Sequence, residues 1–134
     1  MKDDQRKDDE APDEGGNAVS VSGRVSVEPS ARELPSGARI VSFRVVIPRT
    51  TTVMTKGSQQ RSDWIDVTAW SSLARRRAAS WHAGDTVLVT GALRRRHYRA
   101  GELAGSRVEI EMLGGRMLER VTDKRAPVVD AESG

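Results

Sequence analysis

In the stretch SDWIDVTAW, residues 62–70, Trp64, Asp66, Thr68 and Trp70 share one parity, while Ile65, Val67 and Ala69 take the other. Successive side chains of a strand point to opposite faces. The small apolar set therefore has a core to face, and both indole rings ride on the polar side. Aromatic residues make up only 4% of the chain, so two on one polar strand face is a concentrated use of them. A flat exposed ring beside a cation can take a planar, negatively charged partner by stacking and by cation–π attraction. Unpaired nucleobases with their phosphates are such a partner, and stacking is worth about 1–3 kcal/mol per base. The same rings could instead cover a second apolar surface or a subunit interface, where large aromatics are common. Parity alone leaves both readings open.

The outward parity of the neighbouring segments adds cations to this face. One strand supplies Ser20, Ser22 and Arg24, a second Ser42 and Arg44, and a later one Thr90, Arg94, Arg96 and Tyr98. Arg49, Lys56 and Arg61 lie in the connection just before Trp64. The candidate stacking residues are Trp64, Trp70 and Tyr98; the candidate phosphate contacts are Arg24, Arg44, Arg49, Lys56, Arg61, Arg94 and Arg96. Arg75, Arg76 and Arg77 read as a solvated helix face, and Trp81 and Phe43 fall on core positions. Catalytic chemistry finds no foothold. His82 and His97 are isolated, no metal-ligand spacing occurs, and the chain has no cysteine. Asp63 and Asp66 point to opposite strand faces, and there is no Gly-rich phosphate loop. Neither an enzyme nor a cofactor is expected.

Five strand-like segments position these residues. Val19 to Val27 alternate with Ser20, Ser22, Arg24 and Ser26, and Glu28-Pro29 closes the run. SARELPSG reads as a loop. Val41, Phe43, Val45 and Ile47 form the inner parity of the second strand, which Pro48 ends. After the polar connection RTTTVMTKGSQQ comes the third strand, the tryptophan stretch itself. Val87, Val89, Gly91 and Leu93 face inward in the fourth, and Val108, Ile110 and Met112 in the fifth, with RAGELAG as the loop between them. SSLARRRAASW is the one helical segment, with serines suited to capping. Leu73, Ala74, Ala78 and Trp81 lie along its inner side, and Gly84 marks its stop. The order β-β-β-α-β-β predicts an all-β, five-stranded OB-fold Greek-key barrel with one helix between strands three and four. Gly23 and Gly91 fall mid-strand, where a small barrel needs tight bends or bulges.

Charge divides the chain. Residues 1–16 carry 3 basic and 7 acidic side chains, residues 17–122 carry 17 and 9, and residues 123–134 carry 2 and 3. The expected organisation is a disordered acidic arm over 1–16, a basic domain over 17–122 and a short flexible tail over 123–134. A basic domain favours polyanionic partners. The absence of any apolar run of membrane-spanning length or of a signal-peptide core makes cytoplasmic the default location, with no membrane partner.

The segments VSVSGRVSVEP, SGARIVSFRVVIPR, SDWIDVTAWSSLARRRAASWHAGDTVLVTGALRRRHYRAGE and VEIEMLGGRML, taken in order over residues 17–118, resemble the bacterial single-stranded DNA-binding protein family. The resemblance implies an OB fold, a homotetramer and sequence-tolerant wrapping of single-stranded DNA. It also implies a nucleoid-associated role in replication, repair and recombination. Trp64, Trp70 and Tyr98 match positions where the family usually places base-stacking aromatics. Three features depart from its pattern. PRTTT offers no aromatic near the end of the second strand. SSLARRR replaces a helix start that usually carries an acidic residue after Leu-Ala. VVDAESG carries no acidic, apolar-tipped peptide, so recruitment of repair proteins by that route is not expected. The alternatives are an RNA-binding OB module and an assembly module whose aromatic face is an interface.

Overall fold

The computed structural model describes residues 15–122. Most of the acidic arm and all of the C-terminal tail expected from sequence lie outside the described residues. Six strands and one helix follow in the order β1 (Val19–Val25), β2 (Ser30–Glu33), β3 (Arg39–Pro48), β4 (Ser62–Ala69), α1 (Ser72–Ala79), β5 (Thr86–Ala100) and β6 (Leu103–Glu119). The sheet order is β1-β5-β6-β4-β3-β2, and a further β1–β3 pairing brings the sheet round on itself. The five long strands thus close into the expected barrel; β2 hangs outside that circuit, paired only with β3. All pairings are antiparallel except β4 with β6, whose Val67, Thr68 and Ala69 run parallel to Ile110, Glu111 and Met112.

The inward parities predicted from sequence fill the barrel. Val25, Phe43, Val45, Val67, Ala69, Val87, Val89, Ile110 and Met112 are all buried. Trp81 closes one end at 2% exposure, edge-to-face on Phe43 with ring centroids 5.6 Å apart. Helix α1 begins at Ser71, whose hydroxyl accepts a hydrogen bond from the Ala74 N–H, and it buries only Ala74 and Ala78.

Several expectations are corrected. SARE in the presumed loop forms β2, because the edge of β3 offers a free ladder for Ser30–Glu33 to pair with. Val27 is exposed because β1 ends at Val25. Leu73 lies on the outer side of a helix too short to bury a broader stripe. The helix stops at Ala79 with Ser80 as its cap, and Gly84, at φ +94°, serves the following turn instead. RAGELAG is not a loop: β5 and β6 pair out to Ala100 and Leu103, leaving only Gly101-Glu102 as the turn. That ribbon outruns the barrel, so Leu93 and Val108 keep their inward parity yet stay exposed for want of an opposing layer.

The β5–β6 ladder slips by one residue between Thr90 and Gly91, where Leu113 is the extra residue. The bulge reverses the parity of β6: Ile110 and Met112 pair with inward β5 positions before it, Gly115 and Met117 after it. At this point the two backbones come so close that a Cβ on Gly91 would meet the Glu111 carbonyl oxygen at 1.9 Å. Gly91→Ala therefore has no way to be accommodated without opening the ladder. It is expected to cost about 2–3 kcal/mol, read as a lowered midpoint in urea denaturation, whereas Gly37→Ser, which meets no neighbouring atoms but sits at φ +93°, should carry only a backbone cost of about 1 kcal/mol.

Candidate nucleic-acid interface

Cross-strand register builds the site. Arg44 on β3 pairs with Asp66 on β4, Ser42 with Thr68, and Val46 with Trp64. Arg24 of β1 pairs with the same Val46 from its other side, placing Arg24 and Trp64 two strands apart on one face. The Arg44 guanidinium lies over the Trp64 ring at 3.9 Å from the centroid, and its Nε donates to Asp66 Oδ1 at 3.1 Å. Trp64 is 43% exposed and Trp70 39%. Trp70 follows the end of β4 and immediately precedes the helix cap, and Arg96 approaches its ring at 5.9 Å.

Between the tryptophans lies a buried polar bridge. Glu109, 3% exposed, accepts from the Thr68 hydroxyl at 3.1 Å and from Arg96 at 3.0 Å. Thr68, although on the outward parity, is also buried, with its hydroxyl on Glu109. Arg107 reaches the second Asp66 oxygen at 4.0 Å, and Arg94 binds Glu111 at 3.0 Å. An open groove of about 510 Å³ runs across this face, lined by Arg32, Arg44, Arg96 and Arg107 together with Asp66 and Glu109.

Of the sequence-predicted residues, Arg44 and Arg96 line this groove, and each has an indole at its guanidinium, Trp64 for Arg44 and Trp70 for Arg96. Tyr98 stands further out on the β5–β6 ribbon, while Arg94, nearer the barrel than Arg96, does not line the groove and is turned to Glu111. Tyr98 lies across Gly105, its cross-strand partner: a Cβ there would come within 2.6 Å of the phenol oxygen. The glycine thus seats the ring. Arg49 sits at the mouth of the β3–β4 connection, its side chain on Asp63 at 2.9 Å, which holds the guanidinium still more firmly protonated. Lys56 and Arg61 lie in the same connection and Arg24 on β1, each without an ion pair among the described residues. Sequence reasoning missed Arg32, which sat in the presumed loop, and Arg107 and Glu109. The latter two were legible as the outward parity of SRVEIEML, opposite Val108 and Ile110.

At the edge of the groove, which it helps to line, Glu28 ties the segment after β1 to the turn after the helix. Its carboxylate accepts the Ala83 N–H at 3.1 Å and faces His82 Nδ1 at 3.2 Å, and the backbone bond first, then the histidine, lowers its pKa. Among the described residues no group of His, Asp and Glu is arranged to hold a metal, and no helix is long and apolar enough to cross a membrane.

The profile of the Single-strand binding protein family matches residues 16–117. The chain belongs to this family. A single-stranded DNA-binding protein of Corynebacterium glutamicum is 31% identical over 96 residues, 66% of this chain and 40% of that protein. Another, from Bifidobacterium longum, is 29% identical over 100 residues, 73% of this chain and 45% of its own. The matched region thus spans less than half the length of these curated relatives. Among solved structures, the Plasmodium falciparum SSB complex with ssDNA superposes with a TM-score of 0.65 at 19% identity, covering 81% of this chain and 97% of that one. The likeness establishes the OB fold.

Two predictions follow from the ion pairs and from Glu28. Truncating Arg96 strands the buried Glu109 carboxylate, so Arg96→Ala should cost about 3 kcal/mol of stability. Arg94→Ala, which breaks a half-exposed pair, should cost no more than about 1 kcal/mol; urea denaturation ranks the two. A lowered folded-state pKa means that Glu28 stabilises the fold at neutral pH and that this contribution fades as pH falls through that pKa. Glu28→Gln should accordingly lose stability at neutral pH and match the parent in acid, measured as denaturation midpoints across the acid range.

Proposed function

We propose that this chain binds single-stranded DNA without sequence preference, by stacking unpaired bases on Trp64, Trp70 and Tyr98 and meeting phosphates with the arginines and lysine around them. One observation carries the reading: two half-exposed indoles on one barrel face, each with a guanidinium at its ring, at 3.9 Å and 5.9 Å. Every base has a π-face, so such platforms are indifferent to sequence. Duplex DNA presents base edges rather than faces, so exposed rings favour unpaired strands.

The basic set divides by environment. Arg44, Arg49, Arg94 and Arg96 are held in place by carboxylates. Arg24, Lys56 and Arg61 carry no such partner among the described residues, so they offer uncompensated charge to phosphate. The protein performs no covalent chemistry. Its work is protection and presentation of exposed strands in the cytoplasm during replication, repair and recombination. It assembles with copies of itself into a homotetramer, consistent with the apolar residues that the β5–β6 ribbon leaves uncovered at Leu93, Leu103 and Val108.

Titration with oligo-dT should quench tryptophan emission strongly, less so at higher salt, while duplex of equal length leaves it unchanged. Trp64→Ala and Trp70→Ala should each weaken binding by about 1–3 kcal/mol, about 5- to 150-fold in Kd. Tighter binding of an RNA oligomer of the same sequence would identify an RNA-binding module. Emission indifferent to every oligonucleotide would make the aromatic face an interface between proteins.

A further inference from the structure

The proposed site leaves the helix unused. Arg75, Arg76 and Arg77 form the most concentrated block of positive charge on the described chain outside RRRHYR, and none of them has an ion pair among the described residues. The barrel face is different: Arg44, Arg94, Arg96 and Arg107 each lie within 4.0 Å of a carboxylate. Arg96, the cation at the Trp70 ring, is committed to the buried Glu109. A phosphate attached to a base stacked on Trp70 would have to compete with that carboxylate.

Arg75 faces no such competition. Its Nε donates to the main-chain carbonyl oxygen of Trp70 at 3.1 Å, which ties the side chain to the residue that carries the platform. The guanidinium has five N–H donors, so four remain for an anion. Helix geometry then sorts the three arginines. At 3.6 residues per turn, with Ala74 and Ala78 against the barrel, Arg75 lies on one flank of the buried stripe, Arg76 points outward, and Arg77 lies on the opposite flank. Arg75 is tied to Trp70 by that hydrogen bond, Arg76 stands next to Arg75 on the outer side, and Arg77 lies across the helix from Arg75.

We propose that Arg75 and Arg76 form a second phosphate-binding segment, which takes the single strand from the Trp70 platform out over helix α1. The inference rests on Trp70 acting as a stacking platform. It adds that the nucleotide there is held by the helix rather than by Arg96, and that the strand path is longer than the barrel groove.

The experiment uses the full chain with two oligo-dT lengths. One is near the short end of the range of about 4–16 nucleotides that a single OB fold occupies, the other several times longer. Each phosphate contact on a single strand contributes about 0.7 to the slope of log K against log salt. With the long oligomer, R75Q/R76Q should flatten the slope by about 1.4 while full tryptophan quenching is retained at saturation. R75K/R76K should restore the slope, and R77Q should leave it unchanged. An unaltered slope in R75Q/R76Q with quenching intact would overturn the proposal and leave the stacking reading standing. An equal loss in R77Q would also overturn it, replacing a defined track with a diffuse field. No quenching in the parent protein would remove the platform itself, and the proposal with it.

Discussion

The close approach of β5 to β6 at Gly91 is the constraint on which the remaining architecture rests. There the Glu111 carbonyl occupies the space a side chain would need, and one strand must slip a residue past the other. The slip at Leu113 lets a single strand serve two surfaces. Its first half delivers Ile110 and Met112 inward and Glu109 and Glu111 to the outer face; its second half packs Gly115 and Met117 against the barrel with the opposite parity. Without the slip, β6 would carry one of its halves with charges inward. The sharp bend that a five-stranded barrel demands is thus concentrated where Gly91 brings no Cβ against the β6 backbone.

That outer face is held by charge as much as by shape. Glu109 is buried, and a buried carboxylate is tolerated only when its lone pairs are occupied. Thr68 from β4 and Arg96 from β5 occupy them, so three strands are joined by one polar node directly between the two tryptophans. The node fixes Arg96 and, through it, the approach to Trp70. Asp66 does the same near Trp64, gathering Arg44 and Arg107. A surface built this way is preorganised: its guanidinium groups are already ordered before any anion arrives, and less conformational entropy remains to be lost on binding. The opposing effect is that the same carboxylates compete with any phosphate for those groups.

Much of this was legible in the sequence, and the reasons are specific. Alternation in β1, β3 and β4 gave the core and the polar face, because a strand covered on one side must alternate. Trp64, Trp70, Arg44 and Arg96 were identified from parity alone and stand together in the fold. The misses share a cause as well. β2 has no apolar alternation because it is an edge strand with both faces exposed, so SARE looked like loop. The ribbon beyond Ala92 kept a strand-like parity but no core to face, so Leu93 and Val108 were placed inside. The parity switch of β6 was hidden because Val108, Ile110 and Met112 show only the alternation before the slip at Leu113. Glu109 illustrates a different limit: its value as a hydrogen-bond hub depends on Thr68, which is 41 residues away in the chain.

The far end of β6 carries one more device. Asp85 is fully buried, and its two oxygens accept from the His82 N–H and the Val121 N–H at 2.8 Å each, with Arg120 within 3.5 Å. Val121 itself rests on Gly84, where a Cβ would come within 2.8 Å of it. In mechanical terms this is a cleat. Tension applied to the polypeptide beyond residue 122 would reach the Asp85 clamp before it reached any rung of the β5–β6 ladder.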